Sequence, residues 1–378
     1  MKSADLLLKK LVSIDSSFPH ESELEDFLES FLKDLGFTVK KIKTSPKRYN
    51  LVAVLGVIDE FIGFYGHMDT VAPDKNYLRD PFLVHEDKNG RLHGLGVADM
   101  KGGIAAILKL AEFAAMNKLP VKLVFGVDEE NISQGAHDLI DSEELNNLCL
   151  LISAESGQVR GSRQTYSVCY GRRGRMAIRI HVNGVKKHAA ESEEAQNAIE
   201  GMARLLTAVT QMKFPDNKLF GATNFVTHSI SGSTDSFSVP DACMAVISVL
   251  TTPPIQHMDV IKKLQTLTQE LDINATFEPV KRKTPYSESY QVDTDDTLLR
   301  QIQTEIFEKA QVKPSYADSV ADENIFSHRL KIPVISLGPI GGGDHTAEEW
   351  VDKESLYAVA ETYCKILTSY HEAKRKIA

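Results

Sequence analysis

The sequence predicts an α/β fold in two parts: a layered domain of parallel strands and helices, interrupted by a smaller α+β insert. Three observations predict it. Short apolar runs (FIGFYG from Phe61, VKLVFGV from Val121, LCLLISA from Leu148, PVISLGP from Pro333) alternate with helical patterns, as buried parallel strands do. The texture then changes near Gly171, where RMAIRIHV alternates in type as a half-buried strand should. And 378 residues are more than one hydrophobic core usually holds together.

In chain order, residues 4–13 and 21–35 carry helical spacing, the second stopping at Gly36. Strands are expected over 37–43 and 50–55, ahead of FIGFYG. Asp80-Pro81-Phe82 reads as a turn, with a hairpin around 87–90. KGGIAAILKLAEFAAM, 101–116, is a helix with a small-residue start. Strand 121–127, helix 134–145 and strand 149–154 continue the alternation. From 172 the order becomes strand, helix 191–212, strand 223–230, the turn-rich SGSTDSFSVPD, strand 243–250, helix 258–270 and strand 274–280. That is a β-α-β-β-α-β order. The chain therefore divides into 1–171, the first part of the layered domain, 172–283, the insert, and 284–378, its second part. The last part carries helix 297–310, strand 333–337 and helix 353–374.

Composition is that of a globular chain, 42% hydrophobic and 25% charged. A net charge of −9 without a long basic run argues against nucleic acid as a partner. Cys149, Cys169, Cys243 and Cys364 form no CxxC pair, so free thiols are expected rather than disulfides or a thiolate zinc site. MKSADLLLKKLVSID reads as an amphipathic helix, with no signal peptide or membrane span. The expected location is the cytosol.

The apolar runs end at residues that can hold a cation. In open parallel sheets, ligands sit beyond the carboxyl ends of the strands. His67, Asp99, Glu129, Glu130, Glu155 and His345 all fall at such ends or in the loops that follow. Two imidazoles and several carboxylates suit zinc. Singly, each has a commoner role: Asp99 as a helix N-cap, Asp128-Glu129-Glu130 as a solvated turn, His345 as part of a glycine loop. GLGVAD also mimics the start of a dinucleotide fingerprint, but Asp99 stands where the third glycine would, and its charge would repel a pyrophosphate. Asp69, two residues past His67, shares its face if the strand continues.

GHMDTV, GLGVADMKGG, DEE, AESG and GGGDHTAEEW, in that order, resemble the five signature blocks of the di-zinc exopeptidase and deacylase family. Succinyl-diaminopimelate desuccinylases, acetylornithine and acetyl-lysine deacetylases, aminoacylases and glutamate carboxypeptidases belong to it. The resemblance spans the whole chain. It implies a zinc-exopeptidase-like catalytic domain with a ferredoxin-like lid or dimerisation insert. It also implies that His67, Asp99 and Glu155 hold one zinc and Asp99, Glu130 and His345 the other, with Asp99 bridging. Asp69 would grip the His67 imidazole, and Glu129 would be the general base. In an extended segment Glu129 and Glu130 would point opposite ways. A cis peptide is implied at Asp99-Met100. His188, in GVKKHA, resembles a lid histidine that reaches the partner subunit's site and stabilises the oxyanion, which implies a homodimer. Arg172, in GRRG, resembles a desuccinylase stretch and could read a substrate carboxylate; a solvated basic edge is the other reading.

The resemblance departs from any single substrate class. Glu155 is the variant that goes with deacylases and carboxypeptidases. Phe237-Ser238-Val239-Pro240 stands in place of an Asn-Val-Ile-Pro block, Leu250 in place of an arginine, and Asp322-Glu323-Asn324 lacks the desuccinylase arginine. The expected function is hydrolysis of an amide next to a free amino-acid carboxylate, as an N-acyl-amino-acid deacylase. Two Zn2+ would be the cofactor, with Co2+ or Mn2+ able to substitute. A carboxypeptidase or dipeptidase using the same site is the alternative, and a non-catalytic metal-holding scaffold the third reading.

Overall fold

The computed structural model describes residues 3–156, 166–234 and 237–377. Asp235 and Ser236, in the expected turn-rich stretch, lie outside the described residues. The chain forms two compact units, one of Met1–Gly171, Gln291–Ala317 and Ala321–Ala378, the other of Arg172–Tyr290 and Asp318–Val320.

The first unit is built on a mixed sheet. Its middle is four parallel strands in the order Val121–Gly126, Phe61–His67, Leu148–Ser153 and Val334–Ser336. Arg48–Leu55 and then Thr38–Ser45 extend it antiparallel on one side. Ser167–Arg172 extends it on the other. Every residue of Phe61–His67 is buried. Successive side chains of a strand point to opposite faces, and here each face meets a helix. Phe64 packs on Tyr363 of helix Lys353–Ile377, ring centroids 4.9 Å apart. Tyr65 packs on Phe326 of helix Asp322–Leu330 at 4.8 Å. A strand covered on both faces and both edges has no solvated position, which is why FIGFYG carries no charge.

Because the four middle strands are parallel, their carboxyl ends lie on one side of the sheet. The segments that leave them hold His67 to Asp69, Asp128 to Glu130, Ala154-Glu155 and the Gly341–His345 turn. The expected strand 333–337 is found as Val334–Ser336, and the helix 134–145 is shorter, Gln134–Asp141. Strands Ser167–Arg172 and Lys313–Ala317 and helix Asp322–Leu330 were not anticipated. The Asp99-Met100 peptide is cis, as the resemblance implies.

The second unit is the β-α-β-β-α-β arrangement. Its antiparallel sheet runs Asn224–Ser231, Ala242–Thr251, Gly174–Asn183 and Ala275–Pro279. Ile178, Ile180, Ala245, Ile247 and Val249 on the sheet pack with Met202, Leu205, Val260 and Leu264 of helices Ala198–Gln211 and His257–Glu270. The unit runs past 283 to Tyr290. Arg175 N–H donates to Ser287 O at 2.8 Å, which carries the return segment alongside the first strand of the insert. Residues 318–320 join it as well, with Arg173 Nε 2.9 Å from Asp318 Oδ1. Among the described residues, no helix is long and apolar enough to cross a membrane.

Helix Gly102–Asn117 starts directly behind the Asp99 loop and needs Gly103 to do so. A Cβ there would overlap the carbonyl oxygen of Ala154, and one on Gly338 would overlap the same oxygen from another segment. The main chain leading to Glu155 is thus seated between two glycines. Gly103→Ala is expected to destabilise the protein by about 1–3 kcal/mol, as overpacking of a close-packed contact does. The measurement is the denaturant midpoint, and an unchanged midpoint would refute the tight seat.

Candidate active site and metal centre

His67, the last residue of its strand, is fully buried. Its Nδ1 hydrogen-bonds the main-chain oxygen of Asp69 at 2.9 Å, which leaves Nε2 as the ligand atom. Nε2 lies 3.0 Å from Asp99 Oδ1 and 3.3 Å from Glu155 Oε1. His345 Nε2 lies 3.3 Å from Asp99 Oδ2 and 3.0 Å from Glu130 Oε2. The two oxygens of Asp99 therefore face two different imidazoles. Two groups result, His67–Asp99–Glu155 and Asp99–Glu130–His345, each with its ligand atoms within 4.8 Å of one another.

These distances suit cations. Tetrahedral ligands about 2.0–2.1 Å from a zinc-sized ion stand roughly 3.3 Å apart, close to the separations found. The electrostatics agree. Burial alone would push Asp99 up, but hydrogen bonds from His345 and His67 outweigh it and hold the carboxyl below its ordinary range. Hydrogen bonds to Asp99 and Glu130 push His345 up to about 11. Burial lowers His67, yet Asp99 and Glu155 more than reverse this and raise it well above the usual imidazole value. Burial and the Asp99 charge raise Glu155 to about 7. Carboxylates gathered this closely make the local potential strongly negative, the setting in which a dication binds. The donor set, two imidazoles with carboxylates, suits zinc, cobalt or manganese.

Glu129 belongs to the same cluster. Burial raises its pKa well above the ordinary carboxyl value. His67 counters this, and Asp322, Glu155 and Glu130 add to it. The segment is not extended, as adjacent opposed side chains would require. It turns at Asp128, whose φ is +76°. Nor does Asp69 share a strand face with His67, because the strand ends at His67. The Asp69 carboxylate instead accepts the Glu130 N–H on Oδ2 at 2.9 Å, and its Oδ1 is 3.8 Å from His67 Nδ1. Burial pushes Asp69 up to about 7. Asp69 thus joins the His67 segment to the Glu130 turn.

That turn has a second anchor. Asp128, only 3% exposed rather than solvated, accepts from Arg48 Nη1 at 3.0 Å and from the Gln134 N–H at 2.9 Å. Arg48 also donates from Nε to Glu21 at 2.8 Å and lies over the Phe18 ring at 4.6 Å. Behind the turn, Asp322 accepts from the Tyr65 hydroxyl. Glu21 and Arg48 carry no site signal in the sequence, since a single charge in a strand or at a helix start looks the same whether buried or solvated; Asp322 stands out there only as part of the block that lacks the desuccinylase arginine.

His188 and Arg172 belong to the second unit. His188 is exposed, its Nδ1 accepting from the Ala190 N–H at 3.2 Å. Arg172 is not on a solvated basic edge. It is 4% exposed and donates to Ser319 Oγ at 3.0 Å.

Arg48→Met would leave Glu21 and Asp128 buried without their cation. Removing one partner of a buried ion group typically costs about 3–5 kcal/mol. A lowered unfolding free energy of that size is expected in chemical denaturation, and a change below about 1 kcal/mol would contradict the buried triad.

The model of Peptidase family M20/M25/M40 matches residues 63–369, which takes in every residue of both ligand groups. A succinyl-diaminopimelate desuccinylase of Pseudoalteromonas translucida (strain TAC 125) is 26% identical over 376 residues, covering 96% of this chain and 97% of that one. Among solved structures, the aminopeptidase PepT of Bacillus cereus superposes with a TM-score of 0.77 at 20% identity, over 97% of both chains. The YXEP protein of Bacillus subtilis, described as a dinuclear metal-binding peptidase, superposes at 0.71 with 14% identity, over 96% of both. With most of its length and its whole ligand cluster inside the match, the chain belongs to Peptidase family M20/M25/M40 and is a metal-dependent hydrolase.

Proposed function

We propose that this protein is a di-zinc amidohydrolase that cleaves an N-acyl amino acid next to its free carboxylate. The observation that carries the reading is the sharing of Asp99: its two oxygens face His67 and His345, and each pairing has a further carboxylate within reach. His67, Asp99 and Glu155 would hold one ion and Asp99, Glu130 and His345 the other. When bound, such a pair polarises the scissile carbonyl and lowers the pKa of the attacking water.

The chain's own groups do the rest. Glu129 accepts the water proton and delivers it to the leaving nitrogen, the role its place among the ligands supports. Asp69 keeps the His67 segment and the Glu130 turn in register. His188 donates to the carbonyl oxygen as it gains charge, from the partner subunit of a homodimer. Arg172 is the weaker assignment. Its burial and its bond to Ser319 support a role in shaping the insert as much as in reading a carboxylate. The cysteines form no CxxC pair and are expected as thiols, which supports a reducing compartment, the cytosol.

The desuccinylase relatives support an acylated amino acid as substrate. Leu250 and Asp322-Glu323-Asn324 depart from the desuccinylase pattern, the latter looking closer to acetyl-lysine deacetylases, so no single acyl group is named; peptide hydrolysis by the same site is the second reading. A panel of N-acetyl amino acids, N-succinyl-diaminopimelate and dipeptides separates the two, with highest kcat/KM expected on an N-acyl amino acid. Faster turnover of dipeptides would establish the second reading, and a metal-loaded protein inert on all three classes would revive the scaffold reading.

Glu129→Gln is expected to retain both cations and to lose about 10²–10⁴-fold in kcat. Metal content and steady-state rates check this; near-native turnover would show that another group is the base. His188→Ala should lower kcat in a dimer, and a fully active monomer in sedimentation would remove its role.

A further inference from the structure

Glu349 is 2% exposed and lies four residues past His345. Its carboxylate accepts three main-chain N–H bonds from one loop: Gly96 at 2.7 Å on Oε2, Ala98 at 2.9 Å and Asp99 at 3.1 Å on Oε1. That loop is the one that presents Asp99. Its N–H groups converge on the carboxylate as an anion seat, Gly96 taking φ +72° to aim the first of them. Ala98 is fully buried, so these donors have no water to fall back on.

The seat is framed on both sides. Strand Trp350–Asp352 follows Glu349 and pairs with Arg91–His93, which leads into the loop; Trp350 stands opposite His93 and Val351 opposite Leu92. Arg91 stacks on the Trp350 ring at 3.9 Å. Glu349 is the residue just beyond that pairing. One side chain thus joins the His345 segment to the main chain of Asp99, two of the three ligands of one group.

The other ligands are held by other means. Glu130 is tied through its N–H to Asp69. His67 ends a buried strand, and Glu155 leaves the glycine seat at Ala154. From this division of labour we infer that Glu349 is a positioning residue that sets the spacing of Asp99 and His345, and so the affinity of the Asp99–Glu130–His345 position for its cation. The inference rests on the cation-pair reading above. The His67–Asp99–Glu155 position depends on it less, because only Asp99 is common to both.

The test is a titration of metal-stripped native protein, Glu349→Gln and Glu349→Asp with Zn2+ by calorimetry, with a Co2+ titration followed by absorption. Native protein should take two ions per chain. In Glu349→Gln the amide nitrogen faces the Gly96 N–H, donor against donor, while one oxygen remains for Ala98 and Asp99. One of the two positions should then weaken about 10–100-fold, the size seen when a group that orients a metal ligand is lost. The other should keep its native affinity. Glu349→Asp keeps the carboxyl group and should recover part of the loss. Two ions bound with native affinity by Glu349→Gln would overturn the inference. So would an equal weakening of both positions, which is what general loosening produces. Fewer than two ions in native protein would overturn the cation-pair reading, and this inference with it.

Discussion

Crowding of like charge governs this molecule. Asp99, Glu129, Glu130 and Glu155 are gathered beside His67 and His345. Carboxylates this close cannot all stay ionised unless positive charge sits among them. The two imidazoles can supply such charge, and the carboxylates beside them raise both of their pKa values. Two dications placed between the same atoms would meet three ligand carboxylates and a bridging hydroxide, a near-neutral set able to sit in a partly dry cleft. The same crowding that sets carboxylate against carboxylate attracts dications.

Such a cluster needs rigid walls. The middle strands supply part of them: three end beside the ligands, and Phe61–His67 is sealed by Tyr363 on one face and Phe326 on the other. Buried polar ties supply the rest. Arg48 holds the Asp128 turn, Asp69 joins that turn to the His67 segment, and Glu349 holds the Asp99 loop. Each tie joins segments distant in the chain, through main-chain N–H groups or a guanidinium. Ties of this kind hold the ligand side chains in place, which lowers the cost of ordering them around an ion.

The second unit has a different character. One face of its sheet carries two helices, and Asn224–Ser231 is an edge strand with Val226 and Ile230 about half exposed. Edge strands of this kind are normally covered or blunted.

The sequence by itself determined the layered α/β architecture, the β-α-β-β-α-β insert and the six residues of the cluster. Apolar periodicity reports burial directly, and ligand types at strand ends are legible without coordinates. It could not report which oxygen of Asp99 meets which imidazole, that Glu129 and Glu130 sit on a turn rather than a strand, or that His67 meets the Asp69 carbonyl before its carboxylate. It also left the strands Ser167–Arg172 and Lys313–Ala317 unread, their apolar stretches being too short to stand out. The contacts of Glu349, Arg48, Glu21 and Asp322 emerged only in three dimensions. The meaning of a buried charge is set by its partner, and here the partners lie 27 to 257 residues away along the chain.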